Sequence, residues 1–250
     1  MPPGIFLRKT SLTDYPEKIS SVLFFSECNL RCPWCHNSGI FREDSESQNY
    51  EKSLAFEECL MHLVKRKNIL DGVVLSGGEP CLTGMLPQYI KEIKKLNLKV
   101  KLDTNGMFPE ILIELFKSEE TRPDYIALDL KISPSRYREL LPPLLSQLPV
   151  NFYPENVLTQ SALLIRESDI AHEYRSLILP GNYFTEDDIE ELSTLTDDSP
   201  WYFRTFRGGN CLDPAWNDME LSHDEYFHKV EAFSVIVNKL GKTAYFPGSI

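Results

Sequence analysis

The sequence ISSVLFFSECNLRCPWCHN, residues 19–37, joins a strand-like run to a cluster of three cysteines. Residues 19–25 are apolar, β-branched or aromatic apart from two serines, which predicts a buried β-strand. The cysteines follow at once, in the spacing Cys28-x3-Cys32-x2-Cys35. Three thiolates on one short loop can converge on one metal centre, and they leave a further ligand position open.

The rest of the chain alternates between predicted strands and predicted helices. We predict strands at residues 72–75, 99–102, 125–130, 173–179 and 201–206, and helices at residues 51–65, 86–95, 109–117, 156–166, 222–237 and from Thr185 onward. Residues 41–50 and 141–154 read as loops. The alternation favours a parallel sheet with at least six strand–helix units, in one α/β domain over residues 1–250.

The composition excludes several classes of protein. The 250 residues are 42% hydrophobic and 25% charged, which excludes a collagen-like, low-complexity or mostly disordered chain. The formal net charge is −11, so we expect no nucleic-acid partner held by a broad basic surface. We find no pattern of a membrane-spanning helix or a secretory leader, and we therefore expect a cytoplasmic protein with reduced cysteines.

A polar or glycine-rich segment follows each of the six predicted strands. In parallel barrels and open α/β sheets, ligands bind at the carboxyl ends of the strands. The segments that should therefore meet on one face are residues 28–35, 77–80, 103–106, 129–131, 180–181 and 207–209.

The cysteine cluster has rival interpretations. Cys32 and Cys35 alone match a C-x-x-C redox pair, although that motif does not require Cys28. Adding His36 gives the C-x-x-C-H haem-attachment pattern, which is normally found in exported proteins. A zinc ion bound by the three cysteines and His36 would need ligands from two adjacent residues. The spacing and its context favour an iron–sulfur site, and the other interpretations stay open.

Several motifs together resemble known families. The three-cysteine loop and the later GGEP segment, residues 77–80, resemble the radical S-adenosylmethionine (SAM) enzymes. The segments DTNG, residues 103–106, and LDLK, residues 128–131, resemble pyruvate formate-lyase activating enzymes. The segments KTSLTDYP, residues 9–16, and FRGGNCLDP, residues 206–214, resemble anaerobic ribonucleoside-triphosphate reductase activating proteins. This resemblance covers nearly the whole chain and implies a partial TIM barrel, the (β/α)6 radical SAM fold.

The resemblance implies a single 4Fe-4S cluster on Cys28, Cys32 and Cys35, with SAM bound at the open iron. One-electron reduction would cleave SAM to methionine and a 5′-deoxyadenosyl radical, so no side-chain acid or base is required. Trp34 and His36 would border the cofactor.

Further residues are implied to bind SAM. Gly77 and Gly78 would allow close approach to its methionine moiety, and Glu79 would accept a hydrogen bond from its ammonium group. The other implied SAM contacts are Asp103, Asp129, Lys131 and Arg175. The alternatives are a tight turn at the glycines, an ordinary inter-strand salt bridge for Asp103, Asp129 and Lys131, and a surface position for Arg175.

The chain also departs from the families that it resembles. Glu17 and Glu27 occupy positions where these families often have glycine. Arg207 occupies approximately the position where pyruvate formate-lyase activators have a histidine. One isolated cysteine such as Cys211 cannot hold a second cluster. We expect Cys59 and Cys81 to be buried bystanders, whereas Cys211 is an isolated thiol in a glycine-rich loop.

The implied activity is that of an oxidoreductase that makes a glycyl radical on a partner enzyme, the anaerobic ribonucleotide reductase. Flavodoxin or ferredoxin would donate the electron. The alternatives are activation of a pyruvate formate-lyase type of enzyme, radical SAM modification of another peptide or a small molecule, and a zinc-stabilised interaction module with no enzymatic activity.

Overall fold

The computed structural model describes residues 4–37, 53–143 and 153–246. The predicted loop at residues 41–50 and residues 144–152 of the second predicted loop lie outside these ranges. The chain divides into two compact units. The first contains residues 1–29, 37–104 and 110–126, and the second contains residues 30–36, 105–109 and 127–250. The assignment of residues 1–250 to one domain stays a prediction.

Within the described ranges, eight strands form one sheet in chain order. They are β1 (Ile5–Ser11), β2 (Ser20–Phe25), β3 (Gly72–Gly77), β4 (Lys99–Thr104), β5 (Tyr125–Asp129), β6 (Ala171–Ile178), β7 (Trp201–Thr205) and β8 (Ala244–Tyr245). The described α-helices are α1 (Phe56–Arg66), α2 (Leu86–Lys94), α3 (Pro109–Phe116), α4 (Pro154–Arg166), α5 (Glu186–Ser193) and α6 (His223–Lys239). The α/β class is confirmed, and the six predicted strands correspond to β2 to β7.

In the first unit, the parallel pairing begins at β2. Strands β2 and β3 pair from Ser20 opposite Gly72 to Phe25 opposite Gly77, and β4 continues the parallel order beside β3. Every residue of β2 is buried. Parallel strands that are covered on both faces consist of continuous apolar runs, which explains why this strand could be predicted from residues 19–25. Strand β1 is antiparallel to β2 and was not predicted, because its second half is exposed and polar.

The second unit has its own core around β6 and β7. These strands are parallel, with Tyr174 opposite Trp201, and both side chains are fully buried. The ring of Phe184 packs edge-on against that of Phe233 on α6, with centroids 5.6 Å apart. Three short 3-10 helices occur among the described residues, at Pro80–Leu82, Pro134–Leu140 and Pro214–Trp216. Among the described helices, none has both the length and the apolar character needed to cross a membrane.

Candidate functional site

The Gly-Gly-Glu-Pro segment in the first unit is hydrogen-bonded to the start of the cysteine loop. The Gly78 amide donates to the Phe25 carbonyl at 2.8 Å, and the Glu79 amide donates to the Glu27 carbonyl at 2.7 Å. Gly77 has a φ of 105°, and a Cβ there would lie 2.5 Å from the backbone nitrogen of Phe25. The packing of β3 against β2 therefore requires glycine at position 77.

The Glu79 carboxylate faces the interior of the first unit. The residue is 1% exposed, and its Oε1 accepts hydrogen bonds from the Cys81 amide at 3.0 Å and the Thr104 hydroxyl at 2.9 Å. The first bond caps the 3-10 helix Pro80–Leu82. Burial and the charge of Glu79 raise the pKa of the Cys81 thiol. Cys81 is thus a buried, protonated thiol, which agrees with the prediction that it is a bystander.

Asp103 on β4 is held through both of its carboxylate oxygens. Oδ1 accepts from Lys101 Nζ at 2.7 Å, and Oδ2 accepts from the Ser76 hydroxyl at 2.9 Å. The Lys101 side chain is 1% exposed, so this is a buried ion pair. Neither Lys101 nor Ser76 was predicted as a site residue, although the i, i+2 spacing of Lys101 and Asp103 on a strand places both on one face.

The second unit contains the end of the cysteine loop. The Cys35 amide donates to the Cys32 carbonyl at 3.0 Å, which closes a turn around Trp34. Cys32 is buried and Cys35 is half-buried. Cys28, which belongs to the first unit, is half-buried like Cys35. The six cysteines, all of which lie among the described residues, form no disulfide bond.

A second segment, residues 206–217, braces this end of the cysteine loop. The Asp213 amide donates to the Pro33 carbonyl at 3.0 Å, and the Trp34 and Trp216 rings pack with centroids 5.3 Å apart. Burial raises the pKa of Cys211, and the nearby Cys35 adds to the increase. We name residues 206–217 the brace segment. Its contacts show that the late FRGGNCLDP motif packs against the cysteine loop.

The brace segment also contacts His36. The His36 ring lies 5.7 Å from that of Phe206 and is hydrogen-bonded to the Arg207 backbone. Partial burial nevertheless lowers the pKa of His36. The Arg207 side chain is exposed.

Three of the predicted site residues meet at the end of β5. The Asp129 carboxylate lies between two cations: Oδ1 accepts from Arg175 Nε at 2.7 Å, and Oδ2 accepts from Lys131 Nζ at 2.8 Å. The Arg175 side chain is only 14% exposed, so Arg175 is not a surface residue. Asp129 therefore forms an inter-strand salt bridge with Arg175, whereas the salt bridge considered from the sequence as an alternative involved Asp103, Asp129 and Lys131.

The charges at this position favour an anionic ligand. Burial by itself would raise the pKa of Asp129, but Arg175 and Lys131 outweigh that effect and lower it. Burial by itself would lower the pKa of Lys131, but Asp129 and the nearby Cys32 raise it. All three side chains are therefore ionised near pH 7, and two cations face one carboxylate. The excess positive charge can pair with a ligand carboxylate or with thiolates.

The cysteine loop offers the donor type that iron–sulfur clusters use, since it carries three cysteines within eight residues. Among the described residues, which include all four candidate zinc ligands, no three His, Cys, Asp or Glu side chains surround one metal-ion position. A zinc ion needs its ligands at about 2.0–2.3 Å from one centre. In a 4Fe-4S cluster each thiolate binds a different iron, so the thiols need not converge so closely. Three cysteine side chains within eight residues can meet that requirement.

The chain is similar to several radical SAM proteins. A Methanocaldococcus jannaschii protein, provisionally named a glycyl-radical enzyme activating enzyme, is 29% identical over 193 residues, which cover 77% of this chain and 74% of that protein. The pyruvate formate-lyase-activating enzyme of Clostridium pasteurianum is 32% identical over 133 residues, half of this chain and half of that enzyme.

The structural comparison agrees with the sequence comparison. A radical SAM methyltransferase from Sphaerobacter thermophilus has a TM-score of 0.62 over 98% of this chain and 77% of that one, at 14% identity, which shows a shared fold. The model of the radical SAM superfamily matches residues 22–195. Because this match spans more than half of the sequence and includes the cysteine loop, the chain belongs to the radical SAM superfamily.

Proposed function

We propose that this protein is a glycyl-radical activase whose partner is the anaerobic ribonucleoside-triphosphate reductase. The observation that carries the proposal is the similarity to the Methanocaldococcus protein, because it extends over about three quarters of both chains. The KTSLTDYP and FRGGNCLDP motifs support the choice of partner, and the second of these belongs to the brace segment that packs against the cysteine loop.

Membership of the superfamily implies a 4Fe-4S cluster and SAM. We assign the cluster to the thiolates of Cys28, Cys32 and Cys35. When bound, cluster and SAM would supply one-electron reductive cleavage chemistry, with reduced flavodoxin or ferredoxin as the electron donor.

The residues of the chain would bind and orient SAM. We assign Lys131 to the SAM carboxylate, because its ammonium lies beside Asp129 in a group with excess positive charge. Asp129 and Arg175 position Lys131, and Glu79 accepts from the SAM ammonium group. The other assigned contacts are Gly77, Gly78 and Asp103, together with Trp34 and His36 beside the cofactor.

The aromatic residues near the cysteine loop would exclude water from the radical. Trp34 and Trp216 are 5% and 2% exposed, and the Phe206 ring packs edge-on against Trp216 at 5.5 Å. An apolar, water-excluding wall prevents side reactions of a reactive intermediate. The substrate hydrogen would come from a glycine Cα, which carries no side chain to obstruct the approach.

Electron paramagnetic resonance (EPR) tests the proposal directly. The protein is reconstituted with iron and sulfide under anaerobic conditions, reduced, and mixed with SAM and the ribonucleotide reductase. We expect a glycyl-radical doublet, which is absent with Cys32→Ser and absent when the reductase glycine is replaced by alanine. Release of methionine and 5′-deoxyadenosine without a glycyl radical would contradict the activase proposal.

A second candidate partner is pyruvate formate-lyase. The similarity to the Clostridium enzyme over half of the chain and the DTNG and LDLK segments favour it, whereas Arg207 in place of a histidine disfavours it. The same EPR assay with pyruvate formate-lyase in place of the reductase distinguishes the two partners.

A further inference from the structure

Tyr137 is a fully buried residue in the second unit that the sequence analysis did not single out. It lies on the 3-10 helix Pro134–Leu140, and its exposed fraction is 0%. Its hydroxyl oxygen accepts a hydrogen bond from the Lys131 amide at 3.0 Å and donates one to the Asp129 carbonyl at 3.3 Å. One phenol group therefore joins the backbone on both sides of Leu130.

The backbone after β5 depends on such contacts. Strand β5 ends at Asp129, so the next residues are outside its regular pairing. The Leu130 amide donates to the Arg175 carbonyl at 2.8 Å, and the Leu130 carbonyl accepts from the Ser176 hydroxyl at 2.7 Å. These two bonds hold Leu130 against β6. The Lys131 amide is bonded instead to Tyr137, and a buried amide that loses its acceptor is destabilising.

The same 3-10 helix also contacts the cysteine loop. The Leu140 carbonyl, at its last residue, accepts from the Arg31 amide at 2.7 Å, one residue before Cys32. The helix thus touches the backbone beside a cluster cysteine and the backbone that carries Asp129 and Lys131. A short helix that makes both contacts, and whose Pro134, Tyr137 and Leu140 are buried, can fix the relative position of the two segments within this unit.

We propose that Tyr137 is a positioning residue for SAM binding. Its hydroxyl fixes the backbone of residues 129–131 and thereby holds the Lys131 ammonium beside Asp129, where it can pair with the SAM carboxylate. This inference rests on the assignment of Lys131 under the proposed function. Tyr137 itself does not touch the ligand.

The test compares Tyr137→Phe with a matched variant, Tyr174→Phe. Tyr174 is also 0% exposed, and its hydroxyl makes bonds of similar length, to His172 Nε2 at 3.4 Å and Asp197 Oδ1 at 3.3 Å. Both variants keep the aromatic ring and lose one buried hydroxyl. Iron content, thermal unfolding and the SAM dissociation constant are measured for each reconstituted protein, with SAM binding followed by the change in the EPR spectrum of the reduced cluster.

We expect both variants to keep the iron content of the unmodified protein and to lose similar thermal stability. Tyr137→Phe alone should weaken SAM binding, by about tenfold, and Tyr174→Phe should change it less than twofold. The loss should disappear in the background of Lys131→Met, because the hydroxyl acts through Lys131. Unchanged SAM binding in Tyr137→Phe, or equal weakening in Tyr174→Phe, would overturn the proposal.

Hydrogen exchange gives a second measurement, and its first part needs only the unmodified protein. The Lys131 amide should exchange slowly in the unmodified protein and at least tenfold faster in Tyr137→Phe. Fast exchange of this amide in the unmodified protein would also overturn the proposal. Neither experiment contains a partner enzyme. A protein that binds SAM normally but makes no glycyl radical would therefore contradict the proposed function and leave this inference intact.

Discussion

At the scale of single residues, the two glutamates that replace glycines differ in backbone conformation. Glu17 has a φ of 59°, in the left-handed region that favours glycine, and it sits in a turn closed by a bond from the Lys18 amide to the Tyr15 carbonyl. Among the described non-glycine residues, Glu27 is not one of those with positive φ. The replacement at position 17 therefore carries conformational strain that the replacement at position 27 does not.

Glu17→Gly should stabilise the protein by about 0.5–1 kcal/mol, because relief of the left-handed strain exceeds the added flexibility of the unfolded chain. Glu27→Gly is the matched control and should be neutral or destabilising. Urea unfolding of both variants gives the two free energies. Equal effects of the two replacements would show that the φ of Glu17 is not the cause.

The two cysteines that lie away from the cysteine loop and the brace segment should be chemically inert in the folded protein. Burial and the charges of Glu58 and Glu57 raise the pKa of Cys59 to about 12, and the pKa of Cys81 is also raised. The thiolate is the reactive form, and at pH 8 about one Cys59 thiol in ten thousand would be ionised.

We expect iodoacetamide at pH 8 to leave Cys59 and Cys81 unmodified in the folded protein. Both pH 8 and pH 9 lie below the raised pKa of Cys59, so its thiolate fraction rises about tenfold between them. Any residual modification of Cys59 should therefore be about tenfold faster at pH 9 than at pH 8. Peptide mass spectrometry measures the modification, and the guanidinium-unfolded chain is the control in which both cysteines react. Rapid modification of either thiol in the folded protein would be inconsistent with its burial.

At the scale of elements, the brace segment depends on a glycine at a close backbone approach. A Cβ at Gly208 would collide with the Asn217 carbonyl and lie 2.8 Å from that of Met219. The Gly209 amide donates to the same Asn217 carbonyl at 3.0 Å, so the two ends of this loop are in direct backbone contact. Displacement of this loop would move Trp216 and Asp213, which contact the cysteine loop.

Gly208→Ala should destabilise the protein by about 1–3 kcal/mol and speed the loss of iron to a chelator, because the added methyl group forces the backbone apart. Gly84→Ala is the matched control, since a Cβ at Gly84 has no atom within 4 Å. Chelator-dependent bleaching of the cluster absorption and thermal unfolding measure the two effects. If the two alanine variants lose iron at the same rate, the brace segment does not stabilise the cluster.

At the scale of the whole molecule, the six cysteines separate into two sets. Cys28, Cys32 and Cys35 share one loop and include two half-buried thiols, whereas the dispersed cysteines are all buried. The dispersed cysteines Cys59, Cys81 and Cys211 also have raised pKa values. A raised pKa disfavours the thiolate, which is the form of cysteine that binds iron.

The triple variant with alanine at Cys59, Cys81 and Cys211 should bind about four irons per chain after anaerobic reconstitution, as should the unmodified protein. Serine at Cys28, Cys32 or Cys35 should abolish the cluster. Iron and sulfide analysis with visible absorption measures the difference, and the single alanine variants replace the triple variant if it does not fold. Cluster loss in a folded alanine variant would move that cysteine into the ligand set.

Local spacing alone predicted much of this molecule. The apolar runs of β2 to β7, the three-cysteine loop and the GGEP, DTNG and LDLK segments are all short-range patterns. Such patterns reflect the spacing of apolar residues along an element and the residue types that form turns, and both depend on residues close together in the sequence. They were enough to predict the α/β class and the superfamily, both of which are confirmed. They missed β1, because half of that strand is exposed and polar, and β8, because it has only two residues.

The sequence by itself determined the order of strands and helices, the family and the candidate ligands. Only the tertiary structure decided how the candidates are paired. Asp129 meets Arg175 from 46 residues away, and Glu79 meets Thr104 from 25 residues away. Tyr137, which anchors the backbone around Leu130, belongs to no motif. Contacts between distant residues depend on how the elements pack, and a local pattern cannot encode that packing.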